Sequence, residues 1–314
     1  MTAREASRGE RSTTKAPAPR PTAWWLAMLR KRAERMYDEK LHLDVPIEWS
    51  SEAERVAAVA FFNAAFRAEE SGLFQAHQLA DEVATWDPDL GEVLRLYGNE
   101  EGWHRELLTE FLGYLGGEIK PMGRVTGTFY KLYGMAKRIE TIVLVNLMFE
   151  TIGSTTYRLA LRRAKHPAVR QMLTILTRDE SFHVPLNVHF LRQALRHADD
   201  VSARSGGGGV SRLRMQVVHH LLFAALCASA YASRRRAGRF DGIPFAELSR
   251  AYAEQLGKLF LHERDLSLRP PKLLLRLFGL DEAELAASVD GPSAVSAEAA
   301  EAAVDRDAVR VTAL

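Results

Sequence analysis

Long segments of helical character, with almost no β-strand pattern between them, are the feature that most constrains the fold of this chain. Apolar residues in these segments recur every three or four positions, as expected of helices that bury one face. Proline and glycine residues separate the segments and mark their ends. Four long helices are predicted at about residues 51–86, 88–115, 127–164 and 167–197.

The connections between these segments predict how the helices pack. The loop inside the first pair and the loop inside the second pair are short, which favours antiparallel neighbours. The join between the pairs, around residues 116–127, is longer and could carry a crossover along the bundle. The chain is therefore predicted to be an all-α helical bundle.

The remaining segments are predicted to flank this bundle. An amphipathic helix with basic residues on its solvent face is expected at residues 21–40, after a polar, Pro-rich start. The predicted divisions are a disordered N-terminus (1–20), one helical domain (21–280) that comprises the metal-binding bundle (51–197), a linker (198–210) and additional helices (211–280), and a flexible C-terminal tail (281–314).

Composition narrows the class of protein. The 42 basic and 40 acidic residues of the 314 leave a net charge of +2, so no basic excess indicates a nucleic-acid partner. The single cysteine, Cys227, excludes an internal disulfide framework and a Cys-rich zinc site, and it fits a reducing cytoplasm. No signal peptide is visible. The most apolar run, residues 217–233, carries two histidines and is expected to be a core helix rather than a membrane span.

Two Glu-x-x-His motifs occur in the second and fourth predicted helices. Glu101 and His104 form the first, and Glu180 and His183 form the second. Residues three apart share one helix face, so each motif projects a carboxylate and an imidazole side by side among apolar neighbours. Two such matches are weak evidence by themselves, because about one is expected by chance in a chain of this composition.

A lone glutamate in each of the other two helices strengthens the signal. Glu150 lies in the middle of an apolar helix, and so does Glu69 or Glu70. Ionised glutamates are almost never buried without a partner. Glu69 precedes Glu101 by 32 residues and Glu150 precedes Glu180 by 30, so each helix pair repeats the same unit. The more uniformly apolar face of Glu69 favours it over Glu70, which remains the alternative.

Two such units, packed with pseudo-twofold symmetry, would bring four carboxylates and two imidazoles together. Four carboxylates neutralise the charge of two hard divalent cations, and one imidazole completes the coordination of each. Asp179 and Glu100 each precede a motif glutamate. Each is expected to accept a hydrogen bond from the non-ligating nitrogen of the opposite histidine, which fixes the histidine tautomer. Solvent-facing charges are the alternative interpretation of these two acids.

The stretches "NEEGWHRELL" (residues 99–108) and "RDESFHVPL" (residues 178–186) resemble the paired Glu-x-x-His helices of the ferritin-like superfamily. They are similar to those of soluble acyl-carrier-protein desaturases and of di-iron N-oxygenases that act on arylamines. The resemblance implies a ferritin-like four-helix bundle with extra N-terminal and C-terminal helices. It also implies a carboxylate-bridged centre of two iron ions, with manganese possible. The ligands it implies are Glu69, Glu101, His104, Glu150, Glu180 and His183.

The resemblance also implies a function. A di-iron oxidase or monooxygenase would use dioxygen and an external electron donor, a ferredoxin or a reductase. It would hydroxylate, desaturate or N-oxygenate a small organic or carrier-bound substrate, as a homodimer. In related oxygenases a hydroxyl residue near the metals assists proton delivery, a role predicted here for Ser154, with simple packing relief as the alternative. The alternative function is a non-catalytic protein that stores metal or holds a helical partner.

Overall fold

The computed structural model describes residues 19–204, 210–270 and 272–289, in which helices are the only extended regular structure. The all-α prediction is therefore confirmed. Residues 1–18 of the predicted disordered N-terminus lie outside the described residues. The helices are α1 (Thr22–Ala33), α2 (Glu52–Ala84), α3 (Pro88–Tyr114), α4 (Arg124–Gly134), α5 (Ile139–Arg163), α6 (Pro167–Arg204), α7 (Val210–Asp241), α8 (Phe245–His262), α9 (Lys272–Leu277) and α10 (Glu282–Val289).

Local chemistry sets the ends of the first long helix pair. Ser51 caps α2 and accepts a hydrogen bond from the backbone N–H of Glu54 at the start of the helix. Asp87 caps α3 in the same way, and Pro88 occupies its first position. The chain leaves α3 at Gly116, whose φ of 66° lies in the left-handed region that glycine tolerates. Because α2 ends at Ala84 and α3 begins at Pro88, the turn between them is short enough for the two helices to pack together.

The long helices pack as two pairs, α2 with α3 and α5 with α6, as predicted. α1 packs against α3, α7 against α2, and α8 against α5. The apolar core forms two clusters. Tyr97 and Phe182 belong to the first, and Phe62, Leu108 and Tyr157 belong to the second. The acids and histidines singled out in the sequence lie where these clusters meet.

The predicted helix at 127–164 is wrong in one respect, because the chain breaks between α4 and α5. The hydroxyl of Tyr133 donates hydrogen bonds to the carbonyl oxygen of Ile142 and to the side chain of Asn146. In one continuous helix, Tyr133 and Asn146 would lie about 20 Å apart along the axis. Gly134, the last residue of α4, is a local signal for the break, because glycine disfavours helix and is common at helix ends.

Two predicted flexible segments are partly helical. α6 continues to Arg204, through the first half of the predicted linker 198–210; the glycine run that suggested flexibility starts only at Gly206, and residues 205–209 lie outside the described part. In the predicted tail, Asp281 accepts hydrogen bonds from the backbone at the start of α10, which packs on α8 and buries Leu285. Residues 290–314 lie outside the described part.

α7 contains the most apolar run of the sequence. It buries Met215, His219 and Phe223, as predicted for a core helix, although Val217 and Leu221 are exposed. Within the described residues, no helix combines the length and apolarity needed to cross a membrane.

Candidate metal centre

The structure brings together the six side chains predicted to bind metal. They come from four helices: Glu69 from α2, the first Glu-x-x-His from α3, Glu150 from α5 and the second Glu-x-x-His from α6. None of the six is more than 8% exposed. Three groups among them each offer ligand atoms that lie within 4.8 Å of one another. These groups are Glu101, His104 and His183; Glu69, His104 and Glu180; and Glu150, Glu180 and His183.

The two candidate glutamates of α2 have different surroundings. Glu69 is 2% exposed, and its Oε2 lies 3.2 Å from Nδ1 of His104. Glu70 is half-buried and pairs with Arg67, one turn earlier on the same helix. The structure therefore places Glu69 in the cluster and Glu70 outside it. The neighbouring Gly72 leaves room for Glu101, since a Cβ at Gly72 would lie 2.9 Å from Oε2 of Glu101.

Both histidines present the same nitrogen to the cluster. His183 Nδ1 lies 2.9 Å from Glu101 Oε1, 3.8 Å from Glu150 Oε2 and 3.7 Å from Glu180 Oε2. His104 presents Nδ1 to Glu69 in the same way. Because the Nδ1 atoms point inward, each Nε2 atom points away from the cluster.

The outward nitrogens bond to the two acids predicted for this role. Nε2 of His183 lies 2.9 Å from Oε2 of Glu100, and Nε2 of His104 lies 3.1 Å from Oδ2 of Asp179. Both acids are buried, so they are not solvent-facing charges. Each bond crosses between the helix pairs, since one partner lies on α3 and the other on α6. A carboxylate at Nε2 favours a proton there and leaves Nδ1 as a potential metal ligand.

Three buried polar atoms of the cluster make no hydrogen bond among the described residues: Oε1 of Glu101, Oε2 of Glu180 and Nδ1 of His183. Oε1 of Glu101 and Nδ1 of His183 lie 2.9 Å apart but are not aligned for a hydrogen bond. All three belong to the groups of atoms close enough to share an ion. Buried polar atoms without a partner cost free energy and call for an explanation. A donor set of carboxylate oxygens and imidazole nitrogens fits divalent cations such as iron or manganese. The residues present therefore fit a metal centre.

The pKa values of the cluster residues also favour a metal centre. Burial, together with repulsion from Glu150 and Glu69, raises the pKa of Glu101 well above its usual value. Burial and the charge of Glu150 raise the pKa of Glu180 in the same manner. Burial opposes the charged form of His104, but its bonds to Asp179 and Glu69 prevail and raise its pKa to about 10. Without a cation, protons on these carboxyl and imidazole groups must offset the negative charge of the cluster, which bound cations would otherwise neutralise.

The histidine of the second motif behaves like the first. Burial again opposes its charged form, but the bond from His183 to Glu100 and the charges of Glu150 and Glu180 raise its pKa well above the usual value. The acids at the outward nitrogens show the opposite trend. Burial would raise the pKa of Asp179, yet Arg178 and Arg32 hold it well below its usual value.

Two tyrosines donate hydrogen bonds to cluster carboxylates. The hydroxyl of Tyr97 donates to Glu150 Oε1, and that of Tyr157 donates to Glu69 Oε1 over 3.1 Å. Burial, with the negative charge nearby, raises the pKa of both phenols well above the usual value, so both keep their protons.

Ser154, the predicted proton-delivery residue, lies one turn after Glu150 on α5 and is buried. Among the described residues, no hydrogen bond joins its hydroxyl to the six residues of the cluster. The structure therefore supplies no contact for the predicted role, which stays a prediction.

Two arginines at the site were not found from the sequence. Arg32 of α1 donates to Glu100 over 2.7 Å and to Asp179 over 2.9 Å. Arg178 donates to its neighbour Asp179 and to Glu39. The basic residues of the N-terminal helix were expected on its solvent face, but only 12% of the Arg32 side chain is exposed. The periodicity of the sequence cannot predict that Arg32 bonds to Glu100 and Asp179, which lie 68 and 147 residues further along the chain.

Comparisons of the chain with models of protein families, with curated proteins and with solved structures found no match. The functional conclusion therefore depends on the site itself.

Proposed function

We propose that this protein is a ferritin-like di-iron carboxylate protein that uses dioxygen to oxidise an organic substrate. One observation carries the proposal: four carboxylates and two imidazoles from four helices meet in the protein interior, with both Nδ1 atoms directed inward. In this proposal α2, α3, α5 and α6 form the four-helix bundle, and the other helices flank it.

The chain's own residues would hold two metal ions in an environment without bulk water. The four glutamates would supply carboxylate oxygens and the two histidines would supply Nδ1 atoms, since ligand atoms of all six lie in groups close enough to hold an ion. Tyr97 and Tyr157 hold the carboxylates of Glu150 and Glu69 by hydrogen bonds. When bound, a pair of iron ions would supply the electrons that reduce dioxygen.

The overall reaction needs a partner that donates electrons. Hydroxylation or N-oxygenation consumes one dioxygen, two electrons and two protons, and it yields one water and the oxygenated product. Desaturation uses the same reductant and yields two waters, with two hydrogen atoms taken from the substrate. We propose a ferredoxin or a reductase as the donor and a homodimer as the functional unit. An acyl chain or an aromatic amine, free or carrier-bound, is the substrate class proposed from the resemblance.

Metal analysis with a matched pair of variants tests the proposal. Purified protein is loaded anaerobically with ferrous iron, freed of excess metal and exposed to dioxygen. We expect two equivalents of iron, oxygen uptake and a transient visible absorption band. Glu69→Gln should reduce the bound iron, whereas Glu70→Gln, the same change one residue later, should bind iron as the wild type does.

Different outcomes separate the competing functions. Two equivalents of iron without oxygen uptake would favour a storage protein over an oxidase. Wild-type protein that holds no metal, with both variants unchanged from it, would refute the metal centre and leave a buried polar network in its place.

A further inference from the structure

Arg32 connects both histidines of the metal centre. Its Nε donates to Glu100 Oε1, and its Nη2 donates to Asp179 Oδ1. The second oxygen of each acid bonds to a histidine: that of Glu100 to His183 and that of Asp179 to His104. One guanidinium therefore closes an unbroken chain of hydrogen bonds from one Glu-x-x-His motif to the other.

The geometry of this contact requires an arginine. The planar guanidinium directs two N–H groups at two separate carboxylates, which the single ammonium of a lysine cannot match. The same plane lies over the ring of Phe182, with 4.4 Å between the guanidinium carbon and the ring centroid. Burial opposes the charge of Arg32, but Glu100 and Asp179 raise its pKa above the usual value, so it stays charged.

Charge balance gives Arg32 a definite task. Two divalent cations would neutralise the four cluster carboxylates, which leaves the negative charges of Glu100 and Asp179. Arg32 and Arg178 supply two positive charges beside them. Arg32 also fixes the carboxylates that bond to Nε2 of each histidine, which leaves both Nδ1 atoms directed at the cluster. Without Arg32, both carboxylates would lose this donor, and the two imidazole rings would be held less firmly in the orientation that metal binding needs.

Arg32 belongs to α1, which lies outside the two helix pairs. Other polar contacts of α1 with the bundle include the pair of Arg30 with Glu92 of α3, at an exposed position, and the bond of Thr22 to His189 of α6. Arg32 is the residue of α1 that reaches the acids behind the metal ligands. Arg32 therefore contributes both to the docking of α1, together with the buried Trp25 and Leu29, and to the orientation of the histidines.

We propose that Arg32 is a positioning residue that couples the docking of α1 to the affinity of the centre for divalent metal. The inference rests on the proposed function only in that the centre must bind metal; oxidase activity is not required. Coupling is reciprocal: if docked α1 raises metal affinity, bound metal must strengthen the docking of α1 by the same factor.

The test uses manganese(II) as the probe and the full-length protein. Manganese affinity is measured by competition with a chromophoric chelator, and hydrogen–deuterium exchange of residues 22–33 is followed with and without the metal. Arg32→Gln should weaken manganese binding by about 10–100-fold, as is typical when a partner behind the metal ligands is lost. In the wild type, manganese should slow exchange in α1, and in Arg32→Gln this effect of the metal on α1 should disappear.

Arg30→Gln is the matched control. It makes the same substitution in the same helix and removes another contact between α1 and α3, but it lies away from Glu100 and Asp179. It should leave manganese affinity within about twofold of the wild type, and metal should still slow exchange in α1. Arg32→Lys should bind manganese with intermediate affinity, and it provides the test if Arg32→Gln does not fold.

The outcomes separate this inference from the proposed function. Wild-type manganese binding that Arg32→Gln and Arg32→Lys leave unchanged would overturn the inference while the metal centre stands. An equal effect of metal on α1 exchange in the wild type and in the Arg32 variants would overturn it as well. Wild-type protein that binds neither manganese nor iron would overturn both.

Discussion

Glu101→Gln should have opposite effects on the stability of the metal-free and the metal-loaded protein. Glu101 is 2% exposed, and glutamine has nearly the same shape, so the change creates no cavity. It removes one carboxylate whose pKa is raised by burial and by repulsion from Glu150 and Glu69. It also removes a ligand from the group that contains both histidines. The first effect stabilises the metal-free protein, and the second weakens metal binding.

The stabilising effect depends on pH in a definite direction. A raised pKa means that the folded protein keeps a proton that the unfolded chain releases above the ordinary glutamate pKa of 4.5. Glu101 therefore costs no folding stability well below pH 4.5, and its cost grows as pH rises toward the folded-state pKa. One proton of difference changes stability by about 1.4 kcal/mol per pH unit. The advantage of Glu101→Gln in the metal-free protein should grow by up to this amount per unit above pH 5.

The metal effect is larger and opposite. Metal at 100 times its Kd stabilises the folded state by about 2.7 kcal/mol per site, or about 5 kcal/mol for two sites. At about 2 °C per kcal/mol, the low end expected for larger domains, the wild-type Tm should rise by about 10 °C. If affinity falls 100-fold in Glu101→Gln, the same metal concentration gives about 0.4 kcal/mol per site and a shift of about 2 °C.

Thermal unfolding of both proteins, with and without manganese(II), measures these shifts. Glu106→Gln is the control, since it makes the same change at an exposed position of the same helix. A manganese-induced rise in Tm of the same size in Glu101→Gln and in the wild type would refute Glu101 as a ligand. A metal-free Glu101→Gln protein less stable than the wild type at pH 7 would refute the argument from burial and repulsion.

Two further predictions concern proton release and helix packing. Because the pKa of His104 is raised to about 10 in the metal-free protein, bound metal must displace its proton; manganese affinity should therefore rise with pH between 6 and 8, and calorimetry in buffers of different protonation enthalpy should detect proton release. An affinity that is constant over this range would contradict the assigned protonation. Gly91→Ala should destabilise the fold by about 1–3 kcal/mol in denaturant unfolding, because its Cβ would lie 2.7 Å from Ala84 Cβ and 3.0 Å from the Ala80 backbone. Gly113→Ala, in the same helix with open space around it, should instead be neutral or stabilise by up to about 1 kcal/mol, and equal effects of the two changes would contradict this packing argument.

The sequence predicted those parts of the fold that depend on local patterns. Periodic apolar residues, with proline and glycine at the ends of segments, located the long helices, and the apolar face of α2 favoured Glu69 over Glu70. Buried glutamates were recognisable because an acid in an apolar stripe needs a partner. The roles of Glu100 and Asp179 could also be predicted from the sequence, since each acid adjoins a motif glutamate and projects from the same helical turn.

The parts that local patterns did not predict depend on contacts between distant segments. The break between α4 and α5 is stabilised by bonds from Tyr133 to the next helix, although Gly134 at the end of α4 is a local sign of it. Arg32 is one of several basic residues in α1, and the sequence of this helix gives no reason to choose it over the others. Arg32 can be buried because it pairs with Glu100 and Asp179, and these acids lie on the distant helices α3 and α6.

The arrangement of hydrogen bonds also shows what the metals would stabilise. His104 of α3 takes its orienting acid from α6, and His183 of α6 takes its acid from α3. Neither helix pair can therefore orient its own histidine, although each carries a complete Glu-x-x-His motif. The inward carboxylates repel one another across the same interface unless protons or cations compensate them. The free energy of metal binding would thus act on the association of the two pairs, and through Arg32 on α1, rather than on the helicity of any single segment.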